Sequence, residues 1–131
     1  MNRRRVLLIE SHPELRKALR RIFCASECEA VDEATDIVEG VYLSISRQPT
    51  MIILDTAISE LNAVTFSEII RRLAPGNQVV LLVDDTHDYD SLVAGYQMVC
   101  VNKRTLVHDL SPVLHRWLGE ENHERSMEDI A

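Results

Sequence analysis

The sequence predicts an α/β fold in which a parallel, doubly wound sheet of five strands alternates with five helices. Apolar runs of strand length recur along the chain, and a segment of helical periodicity follows each run. The runs are apolar on both faces, which is typical of a sheet covered by helices on two sides. The length of 131 residues is that of one domain. We therefore expect one core, with right-handed crossovers between strands.

Four of the expected strands are clear and the second is weaker. In chain order the strands are predicted at Val6–Ile9, near Cys28–Val31, and at Met51–Leu54, Val79–Val83 and Met98–Val101. Bounded apolar runs this short suit strands better than helices.

Each expected helix has one apolar face, recognised from residues spaced three and four apart. The first face comprises Leu15, Ala18, Leu19, Ile22 and Phe23. The second to fifth faces are Val38, Val41, Tyr42 and Ile45; Phe66, Ile69, Ile70 and Leu73; Tyr89, Leu92, Val93 and Tyr96; and Leu110, Val113, Leu114, Trp117 and Leu118.

Helix starts show capping chemistry. Ser11 and Glu14 have the spacing of a capping box, and Pro13 falls in the first turn, where its missing N–H costs nothing. Pro112 is expected in the first turn of the fifth helix, with Ser111 as its cap. The polar, acidic residues 120–131 are expected to fray.

Charge is unevenly distributed along the chain. The net charge is −7, but residues 1–21 carry +5 and the rest carry −12. The overall negative charge and the lack of interleaved aromatic residues argue against nucleic-acid binding. The basic residues of the first helix are then a solvated face or, as the weaker alternative, a surface for an acidic partner.

Two further classes are excluded by composition. Apolar runs such as Val79–Val83 are far shorter than the roughly 18 residues of a membrane span, so no membrane association is expected. Three cysteines form neither a disulfide framework nor a four-ligand zinc site. A reduced, cytoplasmic protein is the expectation.

Polar residues that carry chemistry follow the strands. Glu10 and Ser11 follow the first strand, Asp55 the third and Lys103 the fifth, and an acidic pair, Asp84-Asp85, follows the fourth. The carboxyl ends of parallel strands meet at one edge of a sheet, where ligands bind. Neighbouring carboxylates suit a hard cation such as Mg²⁺ or a phosphoryl group, and a lysine opposite them would pair with phosphoryl charge.

The ordered set of motifs resembles the receiver domain of two-component response regulators, from Arg4 to about Leu118. The motifs are the segment from Val6 to Arg16, the strand Met51–Asp55, the pair Ala94-Gly95, and Lys103. The resemblance implies a flavodoxin-like fold with strand order 2-1-3-4-5. It also implies that residues 1–119 form the receiver domain and that residues 120–131 are a tail.

The same resemblance implies site roles. Asp55 would accept a phosphoryl group from a histidine kinase or phosphotransfer protein, and Lys103 would contact that group. Glu10, Asp55 and the backbone carbonyl of Ala57 would bind Mg²⁺. Apart from assisting its own phosphorylation and dephosphorylation, the protein would not be an enzyme.

Three of the departures from the family pattern fall at predicted site residues. Ser11 replaces the second acid, and losing a unit charge 4 Å from a divalent ion costs on the order of 4 kcal/mol at an effective dielectric near 20. Weak Mg²⁺ binding is therefore expected. Val83 replaces the switch Ser or Thr and has no hydroxyl to donate to a phosphoryl oxygen. The missing hydrogen bond reduces the free energy by which phosphorylation can shift the conformational equilibrium by about 1.5–3 kcal/mol. Cys100 replaces the switch aromatic residue.

Several roles stay open on sequence grounds. Asp55 is either the phosphoryl acceptor or a turn residue. Lys103 either contacts the phosphoryl group or is a structural counter-ion of Asp55. Glu10 belongs to a weakened metal site or is held by Lys103. Asp84 replaces the charge missing at Ser11, repels an incoming phosphate, or simply caps a loop or helix.

Two functions compete. The first is a phosphorelay switch with Asp55 as acceptor. The second is a phosphorylation-independent interaction module, which would bind a partner or dimerise through the fourth helix, fifth strand and fifth helix. A dehalogenase-type phosphatase is disfavoured because Asp55-Thr56-Ala57 lacks the second acid of an Asp-x-Asp motif. Nucleotide or flavin binding is disfavoured because no glycine-rich loop follows the first strand.

Overall fold

The sheet has the predicted topology. The structure, a computed structural model, describes residues 4–25, 28, 30–58, 68–69, 72, 76–84 and 98–130, without the side chains of residues 58 and 120–130. Five parallel strands lie in the order β2-β1-β3-β4-β5. They are β1 (Arg5–Ile9), β2 (Ala30–Ala34), β3 (Met51–Asp55), β4 (Gln78–Val83) and β5 (Met98–Asn102). The predicted fold class and strand order are confirmed.

Three α-helices and two short 3₁₀ helices belong to the described part of the chain. They are α1 (Pro13–Ala25), α2 (Ile37–Arg47), α3 (Leu106–Ile130), η1 (Thr56–Ile58) and η2 (Lys103–Thr105). Helix α3 corresponds to the fifth predicted helix. The third and fourth predicted helices fall almost wholly outside the described residues. No helix in the described portion is long and apolar enough to cross a membrane.

The core has two apolar layers, one on each face of the sheet. One layer joins alternate sheet residues to α1 through Leu19 and Phe23 and to α3 through Leu110 and Trp117. The other contains the opposite face of the sheet, with α2 packed against it. A sheet covered on both faces is the arrangement that the continuous apolar runs predicted.

Strand β2 is one of the two edge strands of the sheet, and its predicted position was wrong by two to three residues. It spans Ala30–Ala34 rather than Cys28–Val31. Asp32 and Glu33 interrupt the apolar run of β2, so the apolar pattern did not place this strand correctly. An edge strand can carry such residues because it has less apolar surface to bury. Those acids pair with surrounding arginines, so the basic face of α1 is partly neutralised by the chain itself. The ion pairs join Asp32 to Arg5 and Arg47, and Glu33 to Arg16 and Arg20.

Helix α1 begins at Pro13, as predicted, but its cap is not Ser11. The ring Nδ1 of His12 accepts a hydrogen bond from the backbone N–H of Leu15 at 3.3 Å, and Ser11 is exposed. The expected capping box with Glu14 is therefore wrong. Histidine is a less common cap than serine, so the sequence pattern favoured the neighbouring residue.

Helix α2 is rotated relative to the expected apolar face. Its buried residues are Gly40 and Ser44, whereas three residues of the predicted face are exposed, namely Val38, Tyr42 and Ile45. The cause is the close approach at Gly40, where an ideal Cβ would stand 2.8 Å from Cδ1 of Ile9. The smallest residue thus faces β1 and sets which side of the helix is buried.

Helix α3 begins six residues earlier than expected. It starts at Leu106, directly after η2, so Pro112 lies inside the helix and Ser111 is not its cap. The Arg4 guanidinium is buried and donates to the carbonyl of Leu118 at 3.1 Å. The helix continues to Ile130. The division of the chain at residue 119 stays a prediction.

Candidate functional site

Three polar residues converge at the carboxyl edge of the sheet. Glu10 follows β1, Asp55 ends β3, and Lys103 follows β5. The Nζ of Lys103 lies 2.6 Å from Oδ1 of Asp55. Glu10 and Asp55 are only 1% and 4% exposed, and their carboxyl groups interact directly. The site therefore brings together the three residues that sequence reasoning placed at strand ends.

The Glu10 carboxyl group is held in an environment that disfavours its charge. Its Oε1 accepts the backbone N–H of His12 at 2.9 Å, whereas its buried Oε2 has no donor among the described residues. Burial, followed by the hydrogen bond and charge of Asp55, raises the pKa of Glu10 to about 7. A proton on Oε2 would make this oxygen a hydrogen-bond donor to the Asp55 carboxylate, so that it no longer lacks a partner.

Asp55 is held as a carboxylate. Burial acts to raise its pKa, but hydrogen bonds from Glu10, from Lys103 and from the backbone N–H of Ala57 outweigh that effect and lower the pKa. The Ala57 N–H and the Lys103 ammonium both bind Oδ1, the former at 2.9 Å. Below pH 7, Asp55 is thus the charged member of the carboxyl pair.

A hydroxyl that the sequence analysis passed over fixes the end of β3. Thr56 Oγ1 donates to the carbonyl of Leu82 in β4 at 2.9 Å. This bond joins the turn after Asp55 to the neighbouring strand β4. No sequence signal marks it, because its acceptor is a backbone carbonyl distant in the chain.

Asp84 lies beside Lys103. Its Oδ1 is 3.9 Å from Nζ of Lys103, and its carbonyl accepts from the Asn102 amide at 3.4 Å. Strand β4 lies on the opposite side of β3 from β1. With strands about 4.8 Å apart, Asp84 belongs to the lysine end of the site rather than to the end near Ser11. Asp85 lies outside the described residues.

The donor set fits a small hard cation, with fewer charges than a strong site has. Within the described ranges, no cluster of three or more His, Cys, Asp or Glu residues could hold a metal ion. Two carboxylates are present, and the unsatisfied Oε2 of Glu10 is an oxygen that a cation would complete. The exposed Ser11 adds no charge.

Comparison with known proteins identifies the family. A family model described as the response regulator receiver domain matches residues 6–102. The chain belongs to this family. It is a receiver domain of the two-component response regulators.

Two curated response regulators match part of this receiver domain. The transcriptional regulatory protein LiaR of Bacillus subtilis is 32% identical over 95 residues, covering 70% of this chain and 45% of LiaR. The nitrate/nitrite response regulator NarL of Escherichia coli is 27% identical over 90 residues, covering 68% and 42%. The chain thus spans less than half the length of these relatives.

Solved structures confirm the fold of the receiver domain. The structure of an AraC two-component transcriptional regulator from Clostridium phytofermentans superimposes with a TM-score of 0.75. The sequence identity is 15%, and the match covers 88% of this chain and 92% of the other.

The two residues that the sequence predicts to replace the switch residues, Val83 and Cys100, carry neither a hydroxyl group nor an aromatic ring. Val83 is fully buried in the core layer that also contains Ile9, Leu54 and Leu81. Cys100 is half-buried and packs against the same layer. Neither position therefore adds a hydroxyl or an aromatic ring to the site.

Proposed function

We propose that this receiver domain accepts a phosphoryl group on Asp55 from a histidine kinase or phosphotransfer protein. The observation that carries the proposal is the 2.6 Å contact between Lys103 and Asp55 at the carboxyl edge of the sheet. It places a fixed cation against a carboxylate whose pKa is lowered. A turn residue would need neither the half-buried Lys103 nor the neighbouring Glu10.

The contacts of Asp55 orient it as a nucleophile. Both the Ala57 N–H and the Lys103 ammonium hold Oδ1, which leaves Oδ2 for attack. Oδ2 would attack the phosphorus of a phosphohistidine, so that a P–O bond forms as the P–N bond breaks. The leaving imidazole nitrogen keeps the electron pair. Lys103 would offset the negative charge brought next to Asp55.

Glu10, Asp55 and the backbone carbonyl of Ala57 would hold Mg²⁺. When bound, the ion would supply positive charge to the phosphoryl oxygens. Binding should be weak because Ser11 is neutral, and one missing charge costs on the order of 4 kcal/mol at 4 Å and a dielectric near 20. A proton on Glu10 would also compete with the cation, since the pKa of Glu10 is raised to about 7.

The test is the intact mass of the protein after incubation with acetyl phosphate and Mg²⁺. The wild-type chain should gain one phosphoryl group, and Asp55→Asn should gain none. Lys103→Met should label far more slowly while keeping its fold, as judged by circular dichroism. An unchanged mass for the wild type at every Mg²⁺ concentration would reject Asp55 as an acceptor.

A second candidate is a phosphorylation-independent interaction module. Buried Val83 and half-buried Cys100 favour it, because the groups that usually pass on phosphorylation are replaced by apolar ones. We infer that such a module would use β5 and α3, with the fourth predicted helix, to bind a partner or a second copy. That helix lies outside the described residues.

The two candidates differ in their response to restored residues. Ser11→Asp combined with Val83→Thr should strengthen Mg²⁺ binding and labelling if the site retains acceptor chemistry. Equilibrium sedimentation with and without acetyl phosphate then reports association. Self-association that is the same in the wild type and in Asp55→Asn would favour the module.

Location in the cytoplasm remains a proposal based on the three free cysteines.

A further inference from the structure

We propose that Asp84 sets the charge selectivity of the phosphoacceptor site. It would disfavour small dianionic phosphodonors and favour a donor that presents a positive charge to its carboxylate. This inference rests on the proposed role of Asp55 and adds a rule about which donors reach it.

Lys103 is shared between two carboxylates. Its Nζ lies 2.6 Å from Asp55 Oδ1 and 3.9 Å from Asp84 Oδ1. The side chain of Asp55 is 6% exposed, whereas that of Asp84 is 78% exposed. The lysine is thus held between a buried nucleophile and an anion at the rim. An incoming phosphoryl group must share the lysine with Asp84.

The distances limit how far an incoming group can avoid Asp84. A phosphoryl oxygen bound to Nζ at about 2.8 Å would lie within about 7 Å of Asp84 Oδ1, since that oxygen is 3.9 Å from Nζ. This is inside the Debye length of about 8 Å at physiological ionic strength. In water, repulsion between a dianion and a carboxylate at this range slows association roughly threefold to tenfold.

A protein phosphodonor that carries a positive side chain near its phosphohistidine would be attracted by Asp84 instead of repelled. A phosphohistidine on a protein arrives with neighbouring side chains, and a lysine or arginine facing Asp84 would form an ion pair there. A free dianion such as acetyl phosphate brings no such group. Asp84 therefore penalises the small donor and leaves the matched protein donor unhindered.

The test compares labelling rates of Asp84→Asn with those of a matched control. Glu14→Gln removes the same charge from a side chain that is also 78% exposed and also 3.9 Å from a lysine, Lys17. Asp84→Asn should label with acetyl phosphate threefold to tenfold faster than wild type at low salt, and Glu14→Gln should match wild type. The gain should shrink as salt is added.

A second donor separates charge selectivity from altered structure. Phosphoramidate carries an ammonium group on its phosphoryl group, so Asp84→Asn should accelerate it much less. Equal acceleration with both donors, or no acceleration beyond Glu14→Gln, overturns the selectivity while leaving Asp55 as acceptor. Failure of the wild type and both variants to label with either donor overturns the acceptor role and this inference together.

Discussion

Replacing Glu10 with Gln should remove a pH dependence of stability that the wild-type receiver domain shows between pH 5 and 8. In the folded state the pKa of Glu10 is raised from 4.5 to about 7, chiefly by burial. The folded chain therefore holds a proton that the unfolded chain has released. This stabilisation is fully present below pH 4.5 and is lost as the pH rises through 7.

The magnitude follows from the two pKa values. The difference between 4.5 and about 7 corresponds to about 3 kcal/mol of unfolding free energy. Little solvent screens the group, since Glu10 is 1% exposed. Glutamine keeps a similar shape and can donate a hydrogen bond to Asp55 without titrating. Its variant should exceed the wild type by only about 1 kcal/mol at pH 5 and by about 3 kcal/mol at pH 8.

Urea unfolding measures this difference through the fluorescence of Trp117, the chain's only tryptophan, which is 9% exposed. A chelator in the buffer excludes cation binding. Any contribution that the two proteins share cancels when their stability profiles are subtracted. The lowered pKa of Asp55 affects stability only as the pH falls below 3.8, outside this window. Parallel profiles for the wild type and Glu10→Gln would refute the buried, proton-sharing carboxyl pair.

Three further predictions test other parts of the structure. Gly40→Ala should lower the free energy of unfolding by about 1 kcal/mol, because overpacking against Ile9 costs about 1–3 kcal/mol and exceeds the gain in helix propensity. Gly119→Ala has open space around its Cβ and should raise the free energy of unfolding by up to about 1 kcal/mol. Urea unfolding measures both. Thr56→Val should cost about 1 kcal/mol by the same measurement and slow phosphoryl labelling, since the bond from the Asp55 turn to β4 is lost. Lys103→Met should raise the pKa of Asp55, observed by carboxyl NMR titration, whereas an unchanged pKa would contradict the ion pair.

The sequence predicted the sheet well because the strands that form its centre are buried on both faces. β3 is buried at every position from Met51 to Asp55, so its apolar run is unbroken and ends at the functional carboxylate. β2 has no such run, because an edge strand can carry Asp32 and Glu33 and pair them with arginines. The periodicity of a run reveals burial, and an edge strand is only partly buried.

The helices were less predictable because more than one face of a helix can be apolar. In α2, Val38, Tyr42 and Ile45 form a convincing apolar stripe and are nonetheless exposed. The orientation depends on a contact distant in sequence, in which Gly40 lets the helix approach Ile9. A tertiary contact of this kind leaves no mark on helical periodicity.

The candidate site was predictable to the extent that topology alone brings strand ends together. Glu10, Asp55 and Lys103 follow from strand order once the sheet is parallel. The role of Asp84 does not follow from strand order, because each of its three possible roles requires its carboxylate to contact a different neighbour. The 3.9 Å contact with Lys103 favours a role in repelling or selecting an incoming phosphate.

The proposed acceptor role of Asp55 and the expected replacement of the switch residues by Val83 and Cys100 concern two steps with different physical requirements. Accepting a phosphoryl group needs a charged carboxylate and a nearby cation, which Asp55 and Lys103 provide. Responding to that group needs a residue whose position depends on it, and buried Val83 has no donor for a phosphoryl oxygen. Chemistry and response are therefore separable in this domain.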